Sequence, residues 1–336
     1  KKGTVLVSER PEWVYEFRVN DNEMKELFRR MLLQWTDESD LSQAWKSLGI
    51  KPGDVVGIKI NTAGGSVIAS RHSIVEEIAS ELLNAGAKEV VVWDKYLEEM
   101  NQSGFHAGES KLYKLESVIP GAGFDDAQFY VNEYLGRLIW GDHLFKKKVV
   151  KEDLLKMAEE ASKPKDEGLG GIEDQTSNKS YFAKVLTTRC QKIVNLSSFI
   201  DHDVLGIWGC CSSLAMGSVD NTRRFTNPSN AGDPAISEIL DRDLFRKKVV
   251  LHVMDGMVAQ FAGGPLFTPH FAKPLGFFMM SQDPVAIDTL VVDQIQKGRK
   301  IFKVVPIKDE ARHLKSCADA GLGENELKKI KVIRAY

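Results

Sequence analysis

The chain reads as an α/β protein: a mostly parallel sheet with helices on both faces and an irregular α+β insertion. Three observations predict this. Residues 54–94 form a complete strand–helix–strand unit, the alternation of strand and helix patterns resumes after residue 179, and between them, over 102–178, the periodicity fades. The organisation expected is a first α/β segment of the core at 1–101, a lid-like insertion or subdomain at 102–178, and a second α/β segment at 179–336 that completes the core.

The elements follow in order. Thr4 to Ser8 has the apolar content of a short strand, and Asn22 to Gln34 carries Met24, Leu27, Phe28, Met31 and Leu32 at helical spacing. A helix is expected over Leu41–Leu48. The Lys51-Pro52-Gly53-Asp54 turn then feeds the buried strand VVGIKIN. His72 to Asn84 sets Ile74, Ile78, Leu82 and Leu83 on one face, Gly86 ends that helix, and Glu89–Trp93 is the next strand, exiting at Asp94. Such a unit needs a crossover, so a parallel pair is expected.

Inside the insertion, Phe129–Trp140 reads as a hairpin-like pair and Lys151–Ala161 as an exposed helix. The echo between residues 141–150 and 241–250 is too short to be a repeat. In the second half, Ser180–Cys190 reads as a helix, Lys192–Leu196 as a strand, Ala235–Phe245 as a helix, Lys248–Met254 as a strand ending at Asp255-Gly256, and Phe277–Met280 as a short strand. Pro284 suits a first helical turn with Asp283 as N-cap, and Ala286, Ile287, Leu290, Val291 and Ile295 form the packing stripe. Asn325–Lys329 is a short helix and Ile330–Ile333 an edge strand.

Composition narrows the function classes. The 45 Lys and Arg against 47 Asp and Glu give a net charge of -2, which is no electrostatic footprint for nucleic acid, so small-molecule or protein partners are expected. No apolar run reaches the roughly 20 residues of a membrane span. The chain opens on Lys1-Lys2 rather than Met, which favours an exported or periplasmic location over a cytoplasmic one. The four cysteines include no Cys-x-x-Cys pair, so neither a zinc framework nor a four-iron cluster is expected in this chain alone.

Polar residues collect where strands exit: Asn61, Asp94, His202, Asp255 and Asp283. Carboxyl ends of parallel strands share one edge of an open sheet, so these are expected to converge. The densest cluster is Asp201-His202-Asp203 followed by the Gly-flanked Cys210-Cys211 pair.

Gly57-Ile58-Lys59-Ile60-Asn61, Val194-Asn195-Leu196 with His202 and Gly206, Asp255-Gly256 leading to Gly263-Gly264-Pro265, and Ser281-Gln282-Asp283-Pro284-Val285-Ala286-Ile287-Asp288 together resemble the domain-of-unknown-function 362 family over roughly residues 50–300. The resemblance implies an α/β domain of bacteria and archaea. Relatives sometimes carry a ferredoxin-like iron–sulfur module and are sometimes exported behind a twin-arginine signal; no reaction is implied. Members often have a Lys-Asn pair before a glycine after the histidine. Here Gly209-Cys210-Cys211-Ser212-Ser213 stands before Gly217.

The candidates are therefore these. His202, Asp255 and Asp283 are catalytic candidates, as acid–base groups or as part of a metal-assisted site. His202, Asp201, Cys210 and Cys211 are the potential metal ligands, and a divalent ion is the cofactor their chemistry suits. Lys59, Asn61, Arg71, Gly263 and Gly264 are binding candidates: the Gly-Ser loop 62–66 before a helix starting at Arg71-His72 suits an anion, and Gly263-Gly264 allows close backbone approach. Each has a structural alternative: Asp283 as helix cap, the cysteines as small buried packing residues, His202 on a wet loop. Two functions stand open: an enzyme acting on a small anionic or oxygen-rich substrate, or a non-catalytic metal-binding or redox-accessory protein working with a separate iron–sulfur partner.

Overall fold

The computed structural model describes residues 1–132, 135, 138–139 and 176–335. Its main sheet contains β1 (Thr4–Glu9), β2 (Val55–Lys59), β3 (Glu89–Tyr96), β4 (Lys114–Ile119), β5 (Lys192–His202), β6 (Gly206–Ile207), β7 (Val249–Gln260), β8 (Ala272–Ser281) and β9 (Lys331–Arg334). The order is β9-β1-β8-β7-β5-β2-β3-β4, with β6 folding back on β5. All neighbours run parallel except β8, which is antiparallel to both β7 and β1, and the short β5/β6 return.

Side-chain alternation divides the core between two faces. Val90 and Val92 of β3 join one cluster and Val91 and Trp93 the other, as the two-residue period of a strand requires. The first face is covered by α1 (Asp21–Thr36), α2 (Leu41–Ser47) and α3 (His72–Asn84). On the opposite face lie α4 (Cys210–Ser218), α5 (Ala235–Leu240), α6 (Pro284–Phe302) and α7 (His313–Asp319). The fold is thus a three-layer α/β arrangement around a mostly parallel sheet, and both faces are buried as parallel strands demand.

Several elements differ from the sequence expectation. Phe124–Val131 pairs with Lys179–Ala183 rather than folding within 129–140, so Ser180 begins in a strand and only Val185–Arg189 is helical. Ser180, Phe182 and Ala183 are buried on alternate and adjacent positions there, a pattern that a short apolar run shares with a helix. Helix Ala235–Phe245 is two pieces, α5 and Asp243–Arg246. β7 does not stop at Asp255 but runs on to Gln260, because β5 and β8 extend alongside it. β4, within the 102–178 stretch, extends the main sheet at its far edge. The expected helix Lys151–Ala161 and the 141–150 echo lie outside the described residues. Among the described residues no helix is long and apolar enough to cross a membrane.

Candidate functional site

The chain leaves β2 towards α3 on one face, and leaves the adjacent β5 towards α4 on the other. Between two such strands the outgoing loops part, and it is in the crevice expected at such a switch point that open α/β sheets bind ligands. β5 and β7 overhang it: Lys59 at the end of β2 is level with Asn195, whereas β5 continues to His202.

A buried ion pair forms the floor. Lys59 Nζ is 2.7 Å from Asp94 Oδ1, with the two side chains 2% and 9% exposed, and donates to the Ile60 carbonyl at 2.6 Å. The other Asp94 oxygen accepts from the Thr62 amide and hydroxyl, which stitches the ends of β2 and β3 together. Lys59 also lies against Gly217: a Cβ there would stand 2.6 Å from Lys59 Cε. Gly217 is in the last turn of α4, whose carbonyl end favours a cation. Lys59 is therefore enclosed and neutralised rather than presented to a ligand.

Asn61, directly above, is different. Its Oδ1 accepts from the Ala63 amide and the Trp208 indole, but Nδ2, buried with the residue at 1% exposure, has no partner among the described residues. Ser70 holds the crevice together by donating to the Leu196 carbonyl of β5 while accepting the Asn61 amide. Next to it, Arg71 gives only its Nε to Asp255, at 3.0 Å, with no protein partner described for its two terminal nitrogens. α3 begins at that point with no side-chain cap, which leaves the positive end of a 13-residue helix open.

Glu99 lies on the short helix Leu97–Gln102 after β3. It is exposed, yet loss of hydration, and then the charge of Asp94, push its carboxyl up to about 7, with Lys59 and Lys95 pulling the other way. The charges that act on it, Asp94 and Lys59, are those of the buried floor, which puts Glu99 in their vicinity. Nothing in the sequence marked Glu99: it follows a strand exit by one helical turn, as many surface glutamates do.

His202 is at the upper end of β5, its ring stacked on Trp208 at 5.3 Å. Nδ1 accepts from the amides of Val204 and Leu205, which places the proton on Nε2. Asp203 stands 3.0 Å from the same Nδ1 but itself takes the Val204 amide, and the accepting role of Nδ1 is the one its two amides require. Burial holds the imidazole down at about 4. A ring so arranged is a neutral donor through Nε2 and could act as a base only by giving up its turn.

The remaining candidates are committed elsewhere. Asp201, fully buried, pairs with Arg299 at 3.2 Å and accepts from Gln260 and the Gly264 amide. Gly264 passes so close that a Cβ would lie 2.0 Å from the Asp201 carbonyl oxygen, so the glycine serves the fold there. Gly263, at φ +83, shapes the same turn. Asp255 is held by Arg71 and the Met257 amide. Cys210 and Cys211 open α4, fully buried, their thiols pushed well up by loss of hydration; such thiols are poor nucleophiles and ligands. Their amides donate to Asp288 at 2.7 and 2.8 Å, and that carboxyl, also desolvated, is raised to about 6.

Asp283 does not join the others. Because β8 is antiparallel, its end lies at the amino edge of the parallel strands, where Asp283 caps α6 and accepts from Gly3 and Glu324. The crevice thus brings together Lys59, Asn61, Arg71, Asp94 and Asp255, with His202 on the overhang. The four expected metal ligands are not gathered, and among the described residues no three His, Cys, Asp or Glu side chains are grouped to hold a metal. Cavities of about 170, 300 and 700 Å³ lie away from the crevice, at the amino edge, beside Asp203 and Arg312, and along α6. The switch point is thus a candidate by its chemistry and not by enclosed volume.

Comparison with known proteins finds one family model in the second half of the chain. Residues 171–293 match the family described as Domain of unknown function (DUF362). The match is narrower than the span of the motifs and covers β5, α4, β7, β8 and the start of α6, the overhanging side of the crevice. A search of curated proteins gives no match. A crystal structure of a protein from Thermotoga maritima is similar at 13% identity and a TM-score of 0.37, over 70% of this chain and 50% of that one. The chain thus spans about half the length of that neighbour.

Proposed function

We propose that this DUF362 protein is an enzyme that binds a small, oxygen-rich anion in the crevice between β2 and β5 and exchanges a proton with it through Glu99. One observation carries the reading: Arg71 is anchored through Nε while its terminal nitrogens have no partners among the described residues, next to an uncapped helix start and the Asn61 amide, which is likewise unpaired among them. A guanidinium fork, a helix amino end and an amide donor are complementary to carboxylate or phosphate oxygens. Glu99, raised to about 7, can give or take a proton near neutral pH. The substrate class is the one expected from the sequence, with the acid–base work moved from His202, Asp255 and Asp283 to Glu99. The redox-accessory reading gains no comparable support, since the Cys210 and Cys211 thiols are enclosed.

Calorimetric titration with phosphate and with mono- and dicarboxylates tests binding, and incorporation of solvent deuterium next to the carboxylate, read by NMR, tests proton exchange. The expectation is that Arg71→Gln weakens binding by about tenfold or more, the scale of one lost charged hydrogen bond, and that Glu99→Gln binds the anion but exchanges nothing. Failure of every oxyanion to bind, or equal binding by Arg71→Gln, would end the proposal.

A further inference from the structure

At the amino edge of the sheet, remote from the crevice, a cavity of about 170 Å³ opens between β7, α4, α5 and the start of α6. Leu214, Leu240, Phe245 and Leu322 supply its apolar walls, with His252 and Gln282 among its polar ones. A cavity near 150 Å³ is large enough for a benzene-sized molecule. This one is open on one side, has polar as well as apolar walls and holds a built-in donor.

The donor is assigned by a chain of hydrogen bonds. Asn195 Nδ2 donates to the Cys210 carbonyl at 3.1 Å, and since that oxygen can only accept, the orientation of the amide is set. The same Nδ2 lies 3.1 Å from His252 Nδ1, which must then accept, and the proton belongs on Nε2. His252 is 6% exposed, lines the cavity, and its Nε2 has no protein partner among the described residues. Arg246, also at the rim, gives Nε and Nη2 to Asp241 and Nη2 to the Ala320 carbonyl. A carboxylate would therefore meet a guanidinium whose charge Asp241 already balances, whereas a neutral carbonyl oxygen would find a ready N–H.

We propose that this cavity is a second ligand site, which takes a compact neutral molecule of about six to eight non-hydrogen atoms with an apolar body and one carbonyl acceptor directed at His252 Nε2. The site is independent of the crevice and of the anion chemistry proposed there.

Chemical-shift titration of the full chain with cyclohexanone, and with methylenecyclohexane as the isostere lacking the oxygen, tests it. The ketone is expected to bind saturably and about tenfold more tightly than the alkene, the scale of one hydrogen bond. Leu240→Trp should fill the cavity and abolish binding of both, His252→Phe should bring the ketone down to the affinity of the alkene, and Glu99→Gln should bind as wild type does. If the His252 variant does not fold, the ketone–alkene comparison on the wild type still decides. Absence of saturable binding, equal affinity for the two molecules, or ketone binding that survives Leu240→Trp would overturn the assignment.

Discussion

Replacing His202 separates its structural role from any catalytic one. In the wild type Nδ1 accepts the Val204 and Leu205 amides. Val204 also donates to Asp203, so truncation to alanine orphans chiefly the amide of Leu205, a fully buried residue. A buried donor without a partner costs about 1–3 kcal/mol, and loss of the stacked contact with Trp208 adds about 1 kcal/mol. His202→Ala should then lose about 2–4 kcal/mol. In His202→Asn the amide oxygen can take the place of Nδ1, so only the stacking is lost, about 1 kcal/mol. The pH dependence gives an independent check. His202 titrates at about 4 in the folded chain against 6.5 ordinarily, so between these values the unfolded state binds the extra proton and stability falls as pH falls. At pH 5, 1.5 units below the ordinary value, the loss is about 2 kcal/mol at 1.36 kcal/mol per unit. His252 and His313 are also held low, at about 3 and about 4, so total acid sensitivity mixes three groups. The difference between wild type and His202→Asn isolates one. Urea unfolding at pH 7.5 and 5.0 should show the wild type losing about 2 kcal/mol relative to His202→Asn. A difference that does not change with pH, or an asparagine variant as unstable as the alanine one, would refute the assigned tautomer.

Three further outcomes follow from the same geometry. Asp288→Ala strips two buried amides at the start of α4 of their acceptor and should lower unfolding free energy by about 3 kcal/mol in denaturant titration, since each orphan costs about 1–3 kcal/mol. Lys59→Met leaves Asp94 charged and unpaired under the crevice, a loss of about 3–5 kcal/mol measurable by the same method. Anion affinity should rise as pH falls through about 7, because protonation of Glu99 removes a negative charge from the neighbourhood of Lys59 and Asp94; calorimetry on Glu99→Gln should show that dependence gone.

The fold was legible where periodicity and punctuation agreed. α3 runs over His72–Asn84 as its apolar spacing and following glycine require, and Asp283-Pro284 starts α6 as a cap and first-turn pair. Where a residue's neighbour is distant in sequence, local pattern was silent. Ser180–Ala183 illustrates this: its strand exists only because Phe124–Val131 lies beside it. The site was half legible for the same reason. Strand exits pointed to Asn61, Asp94 and Asp255, and the loop before α3 pointed to Arg71. That Lys59 is sealed by Gly217, that Asp288 caps a helix other than its own, and that β8 reverses and carries Asp283 to the opposite edge are facts of packing between remote segments.

That reversal of β8 has a consequence for how the chain is made. β1 is the first strand of the sheet to be synthesised, yet its partners are β8 and β9: Leu6 faces Met280 on one side and Ile333 on the other. Val5, Leu6 and Val7 therefore emerge early and wait for almost the whole chain before they are covered, a long-range closure that is slow and leaves an apolar edge open meanwhile. A ribosome-bound chain arrested before residue 272 should keep its amino-terminal strand open to protease, and shielding of that segment at such a length would show that something other than the sheet holds it first.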